Sequence, residues 1–159
     1  KEINYLFNIL ENFLTNKIGD IDNQDIKLKI IGKKNFSKEL NKLLNFSEKK
    51  TSKNKSLQIN LALNYGSKSE LINSIKLIIK NNEKINERSI SKYLHTRNIP
   101  DPDILIRTGG KKRLSNFMLW QLAYTELYFL DKLWPEFNKK DLGKIISEYK
   151  KVKRNFGGI

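Results

Sequence analysis

Between Leu57 and Leu63 an apolar residue stands at every second position. Leu57, Ile59, Leu61 and Leu63 alternate with Gln58, Asn60 and Ala62, and Asn64-Tyr65-Gly66 then turns the chain. A period of two fits a β-strand with one apolar face. Such a strand needs neighbours, and the flanking sequence supplies them in a regular rhythm. Ile3, Leu6, Phe7, Leu10, Phe13 and Leu14 recur at helical spacing and stop before Lys17-Ile18-Gly19. Residues 26–31 form a β-rich run closed by Gly32, and Phe36, Leu40, Leu43 and Leu44 mark a second helix. Leu71, Ile72, Ile75, Ile78 and Ile79 predict a third helix, and residues 88–94 a short fourth.

After Pro100-Asp101-Pro102, the run Asp103-Ile104-Leu105-Ile106 is too short for a helix and reads as a buried parallel strand. Ser115 is expected to cap an apolar helix through Ala123, followed by a strand at 127–130. Leu142, Ile145, Ile146, Tyr149 and Val152 place a last helix. This alternation predicts an α/β fold with a mostly parallel central sheet flanked by helices, forming one domain over residues 1–159. Ligands of such sheets bind beyond the carboxyl ends of the strands. The loops after Leu63, Ile106 and Phe129 therefore carry the interest.

The 159 residues hold 31 basic and 17 acidic side chains, a net charge of +14. Of the basic residues 26 are lysines, scattered among 19 asparagines and 20 isoleucines. That usage is compositional bias rather than the basic stripe of a nucleic-acid binder. The densest stretch, from Lys49 to Lys55, reads as a solvated turn. No cysteine is present, which excludes thiolate chemistry and disulfides, and one histidine, His95, excludes a multi-histidine metal site. No stretch approaches the roughly 18 apolar residues of a membrane span, and no signal peptide is evident. A cytoplasmic protein is expected.

Two of only 5 arginines stand in one loop, Arg107-Thr108-Gly109-Gly110-Lys111-Lys112-Arg113-Leu114-Ser115-Asn116. Planar guanidinium groups grip phosphate oxygens in bidentate fashion, and a helix start would add free N–H donors. The loop therefore suggests a phosphate or diphosphate cradle, against the plainer reading of a glycine turn with surface cations. It matches neither the P-loop nor the dinucleotide-binding glycine pattern. Glu126, embedded in an apolar run, requires a partner such as Mg²⁺, Arg107 or Arg113. Asp103 supports an arginine or caps the proline turn.

The segments Pro102-Asp103-Ile104-Leu105-Ile106-Arg107-Thr108-Gly109-Gly110, Arg113-Leu114-Ser115-Asn116-Phe117, Leu119-Trp120-Gln121, Ala123-Tyr124, Glu126-Leu127-Tyr128-Phe129 and Leu133-Trp134-Pro135 closely resemble the signature of cis-prenyltransferases of the undecaprenyl diphosphate synthase type. Asn64-Tyr65-Gly66 and Phe156-Gly157-Gly158 match further family motifs. The resemblance implies condensation of isopentenyl diphosphate with an allylic diphosphate such as farnesyl diphosphate, giving a long Z-polyprenyl diphosphate. It implies Mg²⁺, a homodimer and work beside the membrane, whose anionic surface the lysine background would favour. Arg107, Arg113, Ser115 and Asn116 would bind isopentenyl diphosphate, with Gly157 and Gly158 reaching across the dimer. Asp103 and Asn64 would support the site, and Glu126 would assist the metal. The strand from Leu57 to Leu63 would wall the product tunnel.

The family's His-x-x-x-Met-Asp-Gly-Asn-Gly-Arg motif does not occur here, and Ser67, Lys68 and Asn155 depart from its usual pattern. The resemblance thus implies the C-terminal two-thirds of the family's fold, inactive on its own. The alternatives are a non-catalytic partner subunit of a heteromeric enzyme or, on charge alone, a nucleic-acid-binding domain.

Overall fold

The computed structural model describes residues 2–153, with side chains from Tyr5 onward; Asn155, Phe156, Gly157 and Gly158 lie outside the described residues. The chain divides into two compact units, Lys1–Tyr65 and Gly66–Ile159. Each pairs two strands in parallel, as the alternating pattern requires. Among the described residues the pairing forms a two-stranded parallel sheet in each unit, in keeping with the α/β class expected.

The first unit runs α1 (Glu2–Asn23), β1 (Ile26–Gly32), α2 (Lys38–Lys50) and β2 (Leu57–Leu63). Helix α1 continues through Gly19, because Ile18 extends the buried face that Leu14 begins four residues earlier. Leu14, Ile18, Leu28, Ile30, Leu40 and Leu44 form the core, with Leu61 and Leu63 packed against it. Phe7 and Phe36 meet edge to face at 5.0 Å. Each fully buried leucine or isoleucine contributes about 1.5–3 kcal/mol. The amino-terminal half of β2 takes no part, since Leu57 and Ile59 are 55% and 41% exposed.

Strand β1 has a paired edge and a guarded one. β2 covers the first, in register from Ile26 opposite Leu57 to Gly32 opposite Leu63. On the second, side chains of α2 and the turn after it stand in for a strand. Thr51 Oγ1 accepts from Leu28 N at 3.0 Å, Glu48 Oε1 accepts from Ile30 N at 2.8 Å, and Asn54 Nδ2 donates to Ile26 O at 3.0 Å. Such side-chain cover blocks further pairing along that edge. Gly32 has φ 106°, and a Cβ there would meet Leu63 O at 2.1 Å, so only glycine fits where β1 leaves the sheet.

The second unit runs α3 (Ser67–Lys80), α4 (Glu87–Tyr93), β3 (Ile104–Arg107), β4 (Glu126–Phe129), a 3₁₀ turn (Trp134–Glu136) and α5 (Lys139–Tyr149). Capping boxes start α4 at Asn86 and α5 at Asn138. Ile78, Leu94, Leu122 and Ile145 are its buried apolar residues. The expected helix from Ser115 to Ala123 does not form: residues 115–124 are a series of turns and bends. Ser115, Asn116 and Met118 take φ values of 49°, 62° and 47°, which no right-handed helix admits. Among the described residues no helix is long and apolar enough to cross a membrane.

Two outcomes follow for the first unit. Thr51→Val keeps shape but leaves Leu28 N unpaired in a fully buried setting, and should cost about 1–3 kcal/mol in denaturant unfolding. A loss within error of zero would contradict the guarded-edge account. Asp25, left-handed at φ 55°, holds Ser56 Oγ at 2.6 Å and Lys55 N at 3.1 Å on its carboxylate. The Ser56 hydroxyl first, then the Lys55 N–H, keep this carboxyl below its ordinary 3.8. The stability it adds is complete above that ordinary value and is lost as pH falls through the lowered folded one. Asp25→Asn should therefore flatten the acid limb of the stability–pH curve; a limb parallel to the unmodified chain's would refute this.

Candidate functional site

Arg107 is the last residue of β3, and Leu130 N donates to its carbonyl at 2.8 Å across the end of the sheet. From there the chain loops out and is tied back at once. Gly109 N donates to Lys132 O at 2.8 Å and Gly110 N to Leu130 O at 2.9 Å. The glycines, both at positive φ, thus close the loop onto the segment after β4. Their N–H groups are spent on carbonyls and do not face a ligand as a glycine cradle would.

The cations come together differently from the sequence expectation. Arg107 Nη1 donates to the carbonyl of Arg113 and, at 3.1 Å, to Ser115 Oγ. One guanidinium therefore folds the 107–115 loop back on itself and leaves its other N–H groups for a ligand. Arg107, Arg113 and Ser115 share a cleft of about 390 Å³ with an otherwise apolar lining that includes Ile104, Leu114, Phe117, Met118 and Leu122. Lys111 and Lys112 are exposed beside it in sequence. No helix begins at Ser115, so a helix-terminal charge adds nothing here. The positive charge lining the cleft is therefore that of its arginine side chains alone.

Asn116, although exposed, is tied to the start of α3. Its carbonyl accepts from Ser67 N at 2.8 Å and its Oδ1 from Lys68 N at 2.9 Å. Its amide lies so close to Gly66 that a Cβ on Gly66 would meet Asn116 Nδ2 at 2.9 Å. Three residues on, Leu119 N donates to Ser67 Oγ at 3.0 Å. Behind these, the buried Gln121 donates to Thr96 Oγ1 at 3.0 Å and to Glu70 Oε2 at 3.3 Å, while Glu70 Oε1 accepts from His95 N at 2.7 Å. Sequence reading passed over Glu70 and Thr96 and gave Ser67 and Gln121 no structural part. The available signal was a polar stripe, Ser67, Glu70 and Ser74, at helical spacing in an otherwise isoleucine-rich helix.

Glu126 and Asp103 stand elsewhere. Glu126 opens β4 opposite Ile104, and its N–H donates to Asp103 O at 3.0 Å. Arg107 lies three residues further along, about 10 Å at the usual strand rise, with its side chain on the other face. Tyr128, two residues from Glu126 on the same face, is held above its ordinary value of 10.0 first by burial, then by the charges of Glu126 and Glu148. Mg²⁺ takes one or two carboxylates together with phosphate oxygens and water. Among the described residues no group of three or more histidine, cysteine, aspartate or glutamate side chains gathers to hold a metal. Asn64 belongs to the first unit, where its carbonyl accepts from Lys33 N at 3.4 Å.

Comparison with known proteins agrees with the loop's chemistry. The prenyltransferase family model described as "Putative undecaprenyl diphosphate synthase" matches residues 1–157. The isoprenyl transferase of Rickettsia typhi is 40% identical over 158 residues, covering 98% of this chain and 70% of that protein. That of Geobacillus kaustophilus is 42% identical over 166 residues, covering 99% and 65%. The crystal structure of a probable undecaprenyl diphosphate synthase from Campylobacter jejuni superposes with a TM-score of 0.92 at 32% identity, over 99% of this chain and 75% of that one. Lavandulyl diphosphate synthase from Lavandula x intermedia, solved with dimethylallyl diphosphate, gives 0.90 at 34% identity, over 99% and 72%. A parallel α/β fold, an arginine-bearing loop at a strand's carboxyl end and a family match along nearly the whole chain make this protein a member of the cis-prenyltransferases, the prenyltransferase family of undecaprenyl diphosphate synthase.

Proposed function

We propose that the cleft between β3 and the 113–122 segment binds isopentenyl diphosphate, with Arg107, Arg113 and Ser115 on its diphosphate. The observation that carries this reading is one cleft lined by two arginines and a serine among apolar residues. A ligand that suits it is strongly anionic at one end and short and apolar at the other. Isopentenyl diphosphate has that form, and an inorganic anion has only half of it.

In the condensation, the C–O bond of the allylic diphosphate breaks and diphosphate leaves with both electrons. The isopentenyl double bond supplies the pair for the new C–C bond, and a proton leaves the neighbouring carbon. This chain's residues hold the attacking partner. Arg107, already fixed by Ser115 Oγ and the Arg113 carbonyl, needs little reorganisation to receive a diphosphate. The product is a Z-polyprenyl diphosphate. The enzyme works in the cytoplasm and as a homodimer, the dimer supported by the exposed apolar side chains of Tyr124, just before β4, and Leu127, within it. Its lysine-rich surface suits contact with anionic lipid. A non-catalytic partner subunit and a nucleic-acid-binding domain find no support in the family match.

Titration calorimetry on the 159-residue chain tests the cleft. Isopentenyl diphosphate should bind, and Arg113→Ala should weaken it about ten-fold to a hundred-fold, the worth of one or two charge-assisted hydrogen bonds. Equal affinity in the two proteins would sink the assignment of Arg113.

A further inference from the structure

Ser67 does not line the cleft, yet it grips the segment that does. It is the first residue of α3 and is wholly buried. Its N–H donates to Asn116 O at 2.8 Å and its hydroxyl accepts from Leu119 N at 3.0 Å. The next residue's N–H donates to Asn116 Oδ1 at 2.9 Å. Three hydrogen bonds thus join one helical turn to four consecutive residues, 116–119.

Those four include two of the three left-handed non-glycine residues of the 115–124 segment, Asn116 and Met118, and the third, Ser115, adjoins them. Non-glycine residues persist in this conformation only where their surroundings hold them. Phe117 and Met118 line the cleft, and Ser115 Oγ receives Arg107 Nη1. Any relaxation of 116–119 toward ordinary backbone angles therefore moves a wall of the cleft and the acceptor that orients Arg107. Of the bonds that prevent it, the one to Leu119 depends on a side chain of α3, the Ser67 hydroxyl.

We propose that Ser67 is a positioning residue for the diphosphate cleft, acting through the hydrogen bond from Leu119 N to its hydroxyl. This rests on the reading of the cleft as a diphosphate site. The contribution is to affinity and geometry; Ser67 touches no substrate.

Inorganic diphosphate is the probe, measured by calorimetry on the 159-residue chain, with amide exchange by NMR. Ser67→Ala should bind about ten-fold more weakly and lose protection at the Leu119 amide, the effect of one hydrogen bond. Ser74→Ala is the control: that serine is equally buried on the same helix face, but its hydroxyl donates to Glu70 O within α3. A merely structural serine would make both variants behave alike, whereas positioning leaves diphosphate affinity intact in Ser74→Ala. Coupling is reciprocal, so saturating diphosphate should also slow Leu119 exchange in the unmodified chain. That measurement decides the matter if Ser67→Ala does not fold, and an unchanged Leu119 rate then overturns the proposal. Unmodified chain that binds diphosphate as tightly as Ser67→Ala overturns the positioning role and leaves the cleft reading standing. Unmodified chain that binds no diphosphate removes both.

Discussion

A backbone segment that is neither helix nor strand must find many of its hydrogen bonds outside itself, and residues 115–119 are built around that requirement. A helix would have satisfied these N–H and C=O groups internally. With Ser115, Asn116 and Met118 left-handed, it cannot. The first turn of α3 answers instead, since its own leading N–H groups have no partner within the helix. Ser67 N and Lys68 N donate to Asn116, and Ser67 Oγ takes Leu119 N. Two sets of orphaned groups complete one another. The cleft follows from this, because the segment so fixed carries Ser115 to Arg107 and Phe117 and Met118 into the lining.

Much of the fold could be read from sequence because period and length are local properties. Leu57–Leu63 and Ile104–Arg107 are strands where the patterns place them, and both pair in parallel as the intervening helices demand. The 115–123 segment was not legible. Phe117, Met118, Leu119 and Leu122 have helical spacing, but bonds from residues some fifty positions earlier outweigh that local preference. Arg107, Arg113 and Ser115 were legible as a group, since arginine is rare in this lysine-rich chain and the loop stands at a strand end. The part of Asn116 was not, because an exposed asparagine beside a candidate ligand loop gives no sign that its side chain caps a distant helix.

The charge of +14 divides along similar lines. Lys17, Lys34, Lys92 and Lys132 form ion pairs with Asp20, Glu48, Glu83 and Asp141 at the surface, where such pairs are worth little. They balance charge locally at the surface and select no ligand. Arg107 is only partly exposed, fixed by two acceptors of its own loop, and its planar fork cannot turn to follow solvent. A held guanidinium such as that of Arg107 offers a fixed fork that a mobile ammonium group does not.

Parallel pairing also sorts the charged side chains of the second unit by end and by face. Strands that start together place Asp103 and Glu126 at the amino end, joined through the bond from Glu126 N to Asp103 O. The same pairing carries Arg107 to the carboxyl end, where the loop through Arg113 and Ser115 closes over it. Had the strands run antiparallel, an acid opening one would have stood beside the base closing the other, and the guanidinium would have been spent on a carboxylate. Separation in register leaves Arg107 with only neutral acceptors within its loop. On the proposed reading of the cleft, a diphosphate would therefore meet a guanidinium with no carboxylate bonded to it.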